Sequence, residues 1–296
     1  MAKLIFIGST CVDITVLTDG LPSKEEDVNA KAQKISVGGC AHNAAHAASL
    51  FHVPFTLASP VGTGIYGDYI RTALKQENIP VFVNVEEENG SCICIVDEEG
   101  NRSFISVQGA EYKFQKEWLE KLEVSEDSWV YACGLEIEQT TGHNILDYLD
   151  EMVGQFCYAP GPRLTCIPEE KMLRALRRAN LIHLNAHEAC ALMKCDTREE
   201  AAEKLSRYNN GRVVITDGGN SVLVYDGECH YVDSVFSNVV DGTGAGDSHV
   251  GSILACLSMG STLLEAVRRS NYVSSAVCEH VGACIHEEDV DWASMD

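Results

Sequence analysis

The chain has 296 residues, 45% of them hydrophobic, and a formal charge of −22. That length suits one large α/β domain or two smaller ones with a sizeable core. The acidity excludes nucleic acid and anionic membranes as partners, so a phosphate site here has to win by local geometry and a metal ion.

Only residues 4–7 form an early apolar run, and Gly8, Ser9 and Asp13 follow soon. No signal peptide is expected, nor a membrane helix, which needs roughly 18 apolar residues; the expected location is the cytoplasm. The thirteen cysteines are odd in number, scattered, and contain no CxxC pair. A disulfide framework and a structural zinc site are both disfavoured, and most of these thiols read as small buried hydrophobes.

In chain order, "KLIFIG" reads as a strand, followed by a polar, turn-rich stretch at 19–27 and then "AKAQKISVGG". "CAHNAAHAASLF" (40–51) is a helix of small residues. "TLASPVG" reads as a strand and 66–77 as a helix. Residues 81–107 have a different texture. The alternating runs "VFVNV", "SCICIV" and "RSFISV" are joined by the turn signals "EEENG" and "DEEGN", which predicts antiparallel ribbon. In "SCICIV", period-2 alternation puts Cys92 and Cys94 on one face.

From residue 113 helices and strands alternate. "FQKEWLEKL" predicts a helix, "WVYACG" a strand, "HNILDYLDEMV" a helix and "QFCYA" a strand. "EEKMLRALRRA" (helix), "NLIHL" (strand), "AHEACALM" and "TREEAAEKLSRY" (helices) and "RVVIT" (strand) follow. This argues a parallel sheet covered by helices. "SVLVYDG" and "CHYVDSV" form a local hairpin, and 245–279 is mostly helical. The prediction is one α/β domain over 1–296 with a small β excursion built from about 14–37 and 81–107.

Chemistry concentrates where small residues meet polar ones. In "DGTGAGDSHVGSIL" (241–254), Gly244, Ala245 and Gly246 lead into Asp247. A tight turn with a carboxylate favoured at a helix N-terminus explains this. So does a nest of amides for a phosphate, with the aspartate working on a neighbouring hydroxyl. It is neither a P-loop, since 241–254 lacks lysine, nor a GxGxxG following a first strand. In "SVGGCAHNAAHAASL", Gly38 and Gly39 enter a close-packed helix whose first turns carry Asn43, a donor and acceptor suited to a ligand hydroxyl; His42 and His46 beside it read as surface or packing residues. In "LIHLNAHEAC", Asn185 and Glu188 fit a capping box, or a carboxylate near a metal-bound phosphate at a strand end. Thr216, Gly218 and Gly219 mark another strand end, and Asp13 lies just past the first strand.

Together, "GGCAHNAAHAASL" and the downstream "DGTGAGDSHVGSIL" resemble the two signatures of the ribokinase-like, PfkB-type carbohydrate kinases. The resemblance runs through "IGSTCVD", "NAHE", "ITDGG" and "NYVSSAVCEHVGA", over essentially the whole chain. It implies an α/β fold of three layers, α/β/α, with a mostly parallel central sheet and a β-sheet lid over the sugar. It implies transfer of the ATP γ-phosphoryl to a primary hydroxyl of a ribose- or ketohexose-like sugar, with Mg²⁺. By residue, Asp247 matches the catalytic base and Gly244, Ala245 and Gly246 the anion hole. Asp13, Gly38, Gly39, Asn43 and Glu136 match substrate contacts. Asn185 and Glu188 match a motif that places Mg²⁺ (Glu188 through water) and phosphate. Thr216, Gly218 and Asn271 match nucleotide contacts. Asp241 and Thr243 match a loop holding a monovalent cation, K⁺. A homodimer paired through the lids is also implied, and exposed edges on "VFVNV" and "SCICIV" favour it.

The sequence departs from the family at Gly242, where Thr is common, at Cys11, where ribokinase has Asn, and at His249, where a small residue is usual. "YAPGPR" stands near where many relatives carry an Asn- or Asp-containing segment, with Arg163 to serve instead. None of these touches the transfer chemistry, but they leave the acceptor open. The alternatives are a nucleoside kinase of the same family, with Phe104, Tyr112 or His42 under the base, and a non-catalytic ligand-binding protein on the same fold.

Overall fold

The structure, a computed structural model, describes residues 3–98, 102–209 and 211–295. Its centre is an eight-stranded sheet. From one edge the strands are Cys229–Val232, Val222–Tyr225, Arg212–Thr216, Leu181–Asn185, Gln155–Ala159, Trp129–Cys133, Leu4–Ile7 and Phe55–Ala58. The last six are parallel, and the predicted hairpin closes the other edge in antiparallel sense.

Runs such as "LIFI" and "WVYAC" are buried throughout, as parallel strands covered on both faces must be. Alternate side chains feed two cores. Leu4, Phe6 and Tyr131 join the layer containing helices Cys40–Ser49, Ala245–Ser258 and Leu263–Cys278. Ile5, Ile7, Val130 and Phe156 join the layer of Gly142–Glu151, Glu169–Arg178 and Arg198–Asn209. The result is the predicted three-layer α/β/α arrangement. The helices that carry the two glycine-led motifs pack together closely. A Cβ on Gly251 would lie 2.0 Å from the carbonyl oxygen of Ala44, so the contact exists only because residue 251 has no side chain.

The lid is a four-stranded sheet in the order Ala32–Gly38, Cys11–Leu17, Ser91–Val96, Arg102–Val107. Its middle pair is parallel and its outer pairs antiparallel. Two expectations are corrected here. "VFVNV" is not part of the lid: Val83–Glu88 pairs with Pro60–Thr63 in a separate two-stranded sheet. "SCICIV" is an inner strand, not an edge. Alternation identifies a strand but not its partner. "TLASPVG" likewise splits into Phe55–Ala58 and Pro60–Thr63, which belong to different sheets. The "FQKEWLEKL" helix is confined to Lys116–Leu119. Of the "DEEGN" turn, residues 99–101 lie outside the described residues. No helix among the described residues is long and apolar enough to cross a membrane.

Candidate active site

A cleft of about 810 Å³ lies between the inner face of the lid and the C-terminal ends of the central strands, the usual ligand position in open parallel sheets. Cys11, Asp13, Cys92, Cys94, Arg102 and Phe104 face it from the lid. Opposite stand Asn43, Asn185, Glu188, Thr216 and the loop 241–247.

Two glycine junctions set the floor. Gly39 caps helix Cys40–Ser49 at φ 100°, and a Cβ there would meet the Ser9 carbonyl at 2.4 Å. A Cβ on Gly38 would fall 1.9 Å from Asp13 Oδ2, so glycine at 38 is what lets the Asp13 carboxylate lie across its neighbouring strand. Asp13 accepts from the Cys11 thiol at 3.6 Å. Burial raises its pKa to about 6, with Cys11 and His42 pulling the other way.

Helix Ala245–Ser258 begins after Gly244, which is in the left-handed region at φ 75°; a Cβ there would collide with Ala283 at 2.2 Å. The first helical bond inside the turn is Ser248 N to Gly244 O, 2.8 Å. The amides of Gly246 and Asp247 precede it, in the part of a helix that presents donors outward. Space beside Gly246 is open. The Asp247 carboxylate stands at this turn and accepts from Asn43 Nδ2 at 3.0 Å. Burial lifts its pKa to about 6, opposed by hydrogen bonds from Asn43 and Cys40. Asn43 is buried, and its Oδ1 has no partner among the described residues. A fixed carboxylate, a free acceptor beside it and a helix N-terminus facing the same cleft can orient a hydroxyl toward an anionic group.

At the far wall, Asn185 and Glu188 form the capping box: Glu188 N donates to Asn185 Oδ1 at 2.8 Å, and Asn185 N to Glu188 Oε2 at 3.0 Å. The box leaves Asn185 Nδ2 and Glu188 Oε1 outside the cap, and both residues line the cleft wall. Burial raises the Glu188 pKa.

Residues 1–289 match the family described as pfkB family carbohydrate kinase. The chain belongs to the PfkB family of carbohydrate kinases. It is an ATP-dependent phosphotransferase acting on sugars or nucleosides. Over 296 aligned residues it is 29% identical to the uncharacterized sugar kinase YegV of Escherichia coli strain K12, covering 95% of this chain and 89% of that protein. A fructokinase from Vibrio cholerae O395, solved with fructose, ADP and calcium, superposes with TM-score 0.83 at 19% identity, covering 100% of this chain and 98% of that one. A nucleoside kinase from Burkholderia thailandensis, solved with inosine, gives 0.80 at 17% identity, covering 99% and 96%.

The structure gathers most family-matched residues at the cleft and sets others aside. Asp13, Gly39, Asn43, Asn185, Glu188, Thr216, Asp241, Thr243, Gly244, Gly246 and Asp247 line it. Gly38 stands under Asp13, and Ala245 is the first helical residue behind Gly244. Gly218 lies beyond the wall, in an open turn at φ 56°. Glu136 stands apart from the cleft lining. It is fully buried beneath Gly8 and Ser9 and accepts from Ser9 N at 2.8 Å. Burial pushes its pKa to about 7. It supports the floor and does not face the cleft.

Asn271 also stands apart from the cleft lining. It is buried, its Nδ2 donates to the Asp233 carbonyl at 2.8 Å, and its Oδ1 accepts from His249 Nε2 at 3.0 Å. His249 Nδ1 in turn accepts from His183 Nε2 at 2.9 Å. The unusual histidine after Asp247 therefore joins a buried chain running from a cleft-lining strand end to helix Leu263–Cys278. Burial lowers the pKa of both rings, and His249 falls to about 4, which suits two neutral imidazoles. His42 is enclosed in another cluster and offers no platform for a base.

Sequence reasoning missed Arg102. From the lid's last strand its Nη2 reaches Asp241 Oδ1 at 2.8 Å. Asp241 also accepts from Thr243 N and Gly282 N, each at 2.9 Å. These bonds and Arg102 hold its pKa low against burial. The two ends of this ion pair lie far apart along the chain, and no spacing rule connects them. Arg163 is committed to Glu138 through Nε (2.8 Å) and Nη2 (2.5 Å).

Proposed function

We propose that this chain transfers the γ-phosphoryl group of ATP to a primary hydroxyl of a small, ribose- or ketohexose-like sugar. The observation that carries the reading is the Asn43–Asp247 pair at the N-terminus of helix Ala245–Ser258, facing Asp13 across the cleft. Asp247 orients the acceptor hydroxyl and takes its proton as oxygen bonds to phosphorus and ADP departs. With a pKa of about 6 it is ionised at neutral pH. Asn43 Oδ1 and Asp13 accept from other sugar hydroxyls, with Gly38 and Gly39 leaving room for the ring. The turn Gly244–Ala245–Gly246 offers amides to the charge that develops on the transferring group.

Asn185 and Glu188 are the residues that would hold Mg²⁺, and Thr216 and Gly218 would border the nucleotide. The fit rests on the carboxylate at the cleft wall with one oxygen outside its cap. Mg²⁺, when bound, neutralises charge on the phosphates. K⁺ does not fit the Asp241 carboxylate, which Arg102 and two amides already satisfy.

A nucleoside acceptor is the second reading, favoured by Phe104, 57% exposed and lining the cleft together with Tyr112. ADP release with Mg-ATP across ketoses, aldoses and nucleosides separates the two. Turnover with sugars alone is expected. Turnover with nucleosides alone selects the second reading, and none at all, with ligands still binding, points to a non-catalytic protein. The outer lid face exposes Ile105 (56%) and Val107 (60%) on an edge strand, which supports pairing of two lids in a homodimer. A monomeric mass at micromolar protein would refute that pairing.

A further inference from the structure

Residues 281–285 form a strap tethered to three parts of the molecule: the lid, the 241–247 loop and helix Cys40–Ser49. The Val281 carbonyl accepts from Lys34 Nζ of the lid at 2.6 Å. Gly282 N donates to Asp241 Oδ2. Ala283 fills the space above Gly244. The Cys284 sulfur lies 3.9 Å from His42 Nδ1. The Ile285 carbonyl accepts from His46 Nε2 at 2.9 Å.

Cys284 is exposed, but the groups behind it are not. His42 is fully buried, and its other nitrogen lies 3.0 Å from Glu77 Oε2. His46 Nδ1 lies 3.8 Å from the same oxygen. A buried imidazole with a carboxylate at one nitrogen and a sulfur at the other is stable as imidazolium, donating to both. Burial alone would lower the His42 pKa, yet Cys284 and Glu77 raise it to about 9. By the same contacts Cys284 falls to about 6, although the packing around its sulfur opposes this. The facing titratable groups are His42 and His46 from one helix and Glu77 from the end of another. Cys166 and Cys229 are also exposed, and burial with Glu199 and Glu203 nearby raises the Cys229 pKa. The phosphoryl-transfer reading uses none of this cluster.

We propose that Cys284 is a modification site that is captured by low-molecular-weight disulfides, and that its capture loosens the anion-hole loop 241–247 through the strap. The thiolate attacks one sulfur of the disulfide. A mixed disulfide forms on Cys284, and the second sulfur leaves as a thiolate, so no further oxidant is needed. A sulfur carrying the adduct is no longer a thiolate that accepts from His42, so the contact that seats residue 284 is lost. Displacing residue 284 pulls on Ala283 against Gly244 and on the Gly282 amide that holds Asp241.

The test is exposure to oxidised glutathione at pH 6, with the adducts mapped by peptide mass. At that pH Cys284 is about half thiolate and an ordinary thiol below about 1%. Lower intrinsic nucleophilicity offsets part of this, leaving a rate advantage of about tenfold over Cys166 and Cys229. His42→Gln should erase most of that advantage. Equal rates at the three cysteines would overturn the proposal. Amide hydrogen exchange over 241–247 reads the coupling. It should quicken in modified wild type, recover with dithiothreitol, and stay unchanged in Cys284→Ser treated in the same way. Unchanged exchange despite full modification would sink the coupling. Neither readout needs a substrate, so both stand apart from the kinase reading. Loss of turnover on modification, absent in Cys284→Ser, rests on that reading.

Discussion

The central sheet and the lid are built from similar residues and obey different rules. Leu4, Phe6, Tyr158 and Phe156 of the central sheet are fully buried, whereas Phe104, Ile105 and Val107 of the lid are more than half exposed. In the sheet, both faces of a strand are core. In the lid, one face is chemistry, with Asp13, Arg102 and Phe104 in the cleft, and the other is partly open. The difference assigns stability to one region and recognition to the other, and it puts Asp247 at the boundary, on a helix of the rigid layer facing the lid.

The sharpest break of this division is at that boundary. Asp247→Asn should lower kcat by roughly 10²- to 10⁴-fold, the range for a positioned general base, and leave the melting temperature near wild type. ATP affinity should be unchanged or tighter, since a negative charge near the triphosphate is removed. A variant that loses ATP binding but keeps kcat would make Asp247 a helix cap. In the wild type, the raised pKa means the carboxyl holds its proton below about pH 6. kcat/KM should therefore fall as pH drops through that value, with Asp13, also near 6, sharing the limb. A flat profile between pH 5 and 8 would speak against this assignment.

Stability should divide just as unequally. Phe156→Ala empties a fully buried site and should cost about 3–5 kcal/mol in urea denaturation. Ile105→Ala, on the outer lid face, should stay within about 0.5 kcal/mol. Similar losses would mean that the lid is part of the cooperative core.

A smaller effect tests the tie between the regions. Arg102→Ala leaves Asp241 without its cation and should reduce kcat/KM about ten- to thirtyfold, the low end for removing one partner of a desolvated pair; Arg102→Lys should fall between. Smallest of all, wild-type rates in K⁺ and in tetramethylammonium at equal ionic strength should agree within about twofold, because the carboxylate already faces a guanidinium. Strong activation by K⁺ would show that the ion pair gives way to the metal.

The same division explains what could be read from the sequence. Most central strands are largely apolar runs and were legible, although "TLASPVG" hid two strands of different sheets. Both glycine-led motifs were legible too, because small residues before a polar one announce a backbone that must approach something. Alternating runs gave strands but not partners, so "VFVNV" was placed in the wrong sheet. Glu136 and Asn271 sit at family-matched positions, yet Glu136 Oε1 accepts from Ser9 N and the Asn271 amide bonds His249 and Asp233. Arg102–Asp241 and the Cys284 strap join distant segments, and only the fold brings them together.

The contact between Gly251 and Ala44 bears on inheritance. The helices carrying Asn43 and Asp247 meet where a single added carbon would lie 2.0 Å from a backbone oxygen. A lineage can exchange cleft residues one at a time and drift toward a new acceptor, since those side chains end in open space. At position 251 a methyl group has nowhere to go, so it would push apart two helices whose polar groups meet at 3.0 Å. A residue firmly closed to substitution in such a lineage is therefore one with no chemistry of its own.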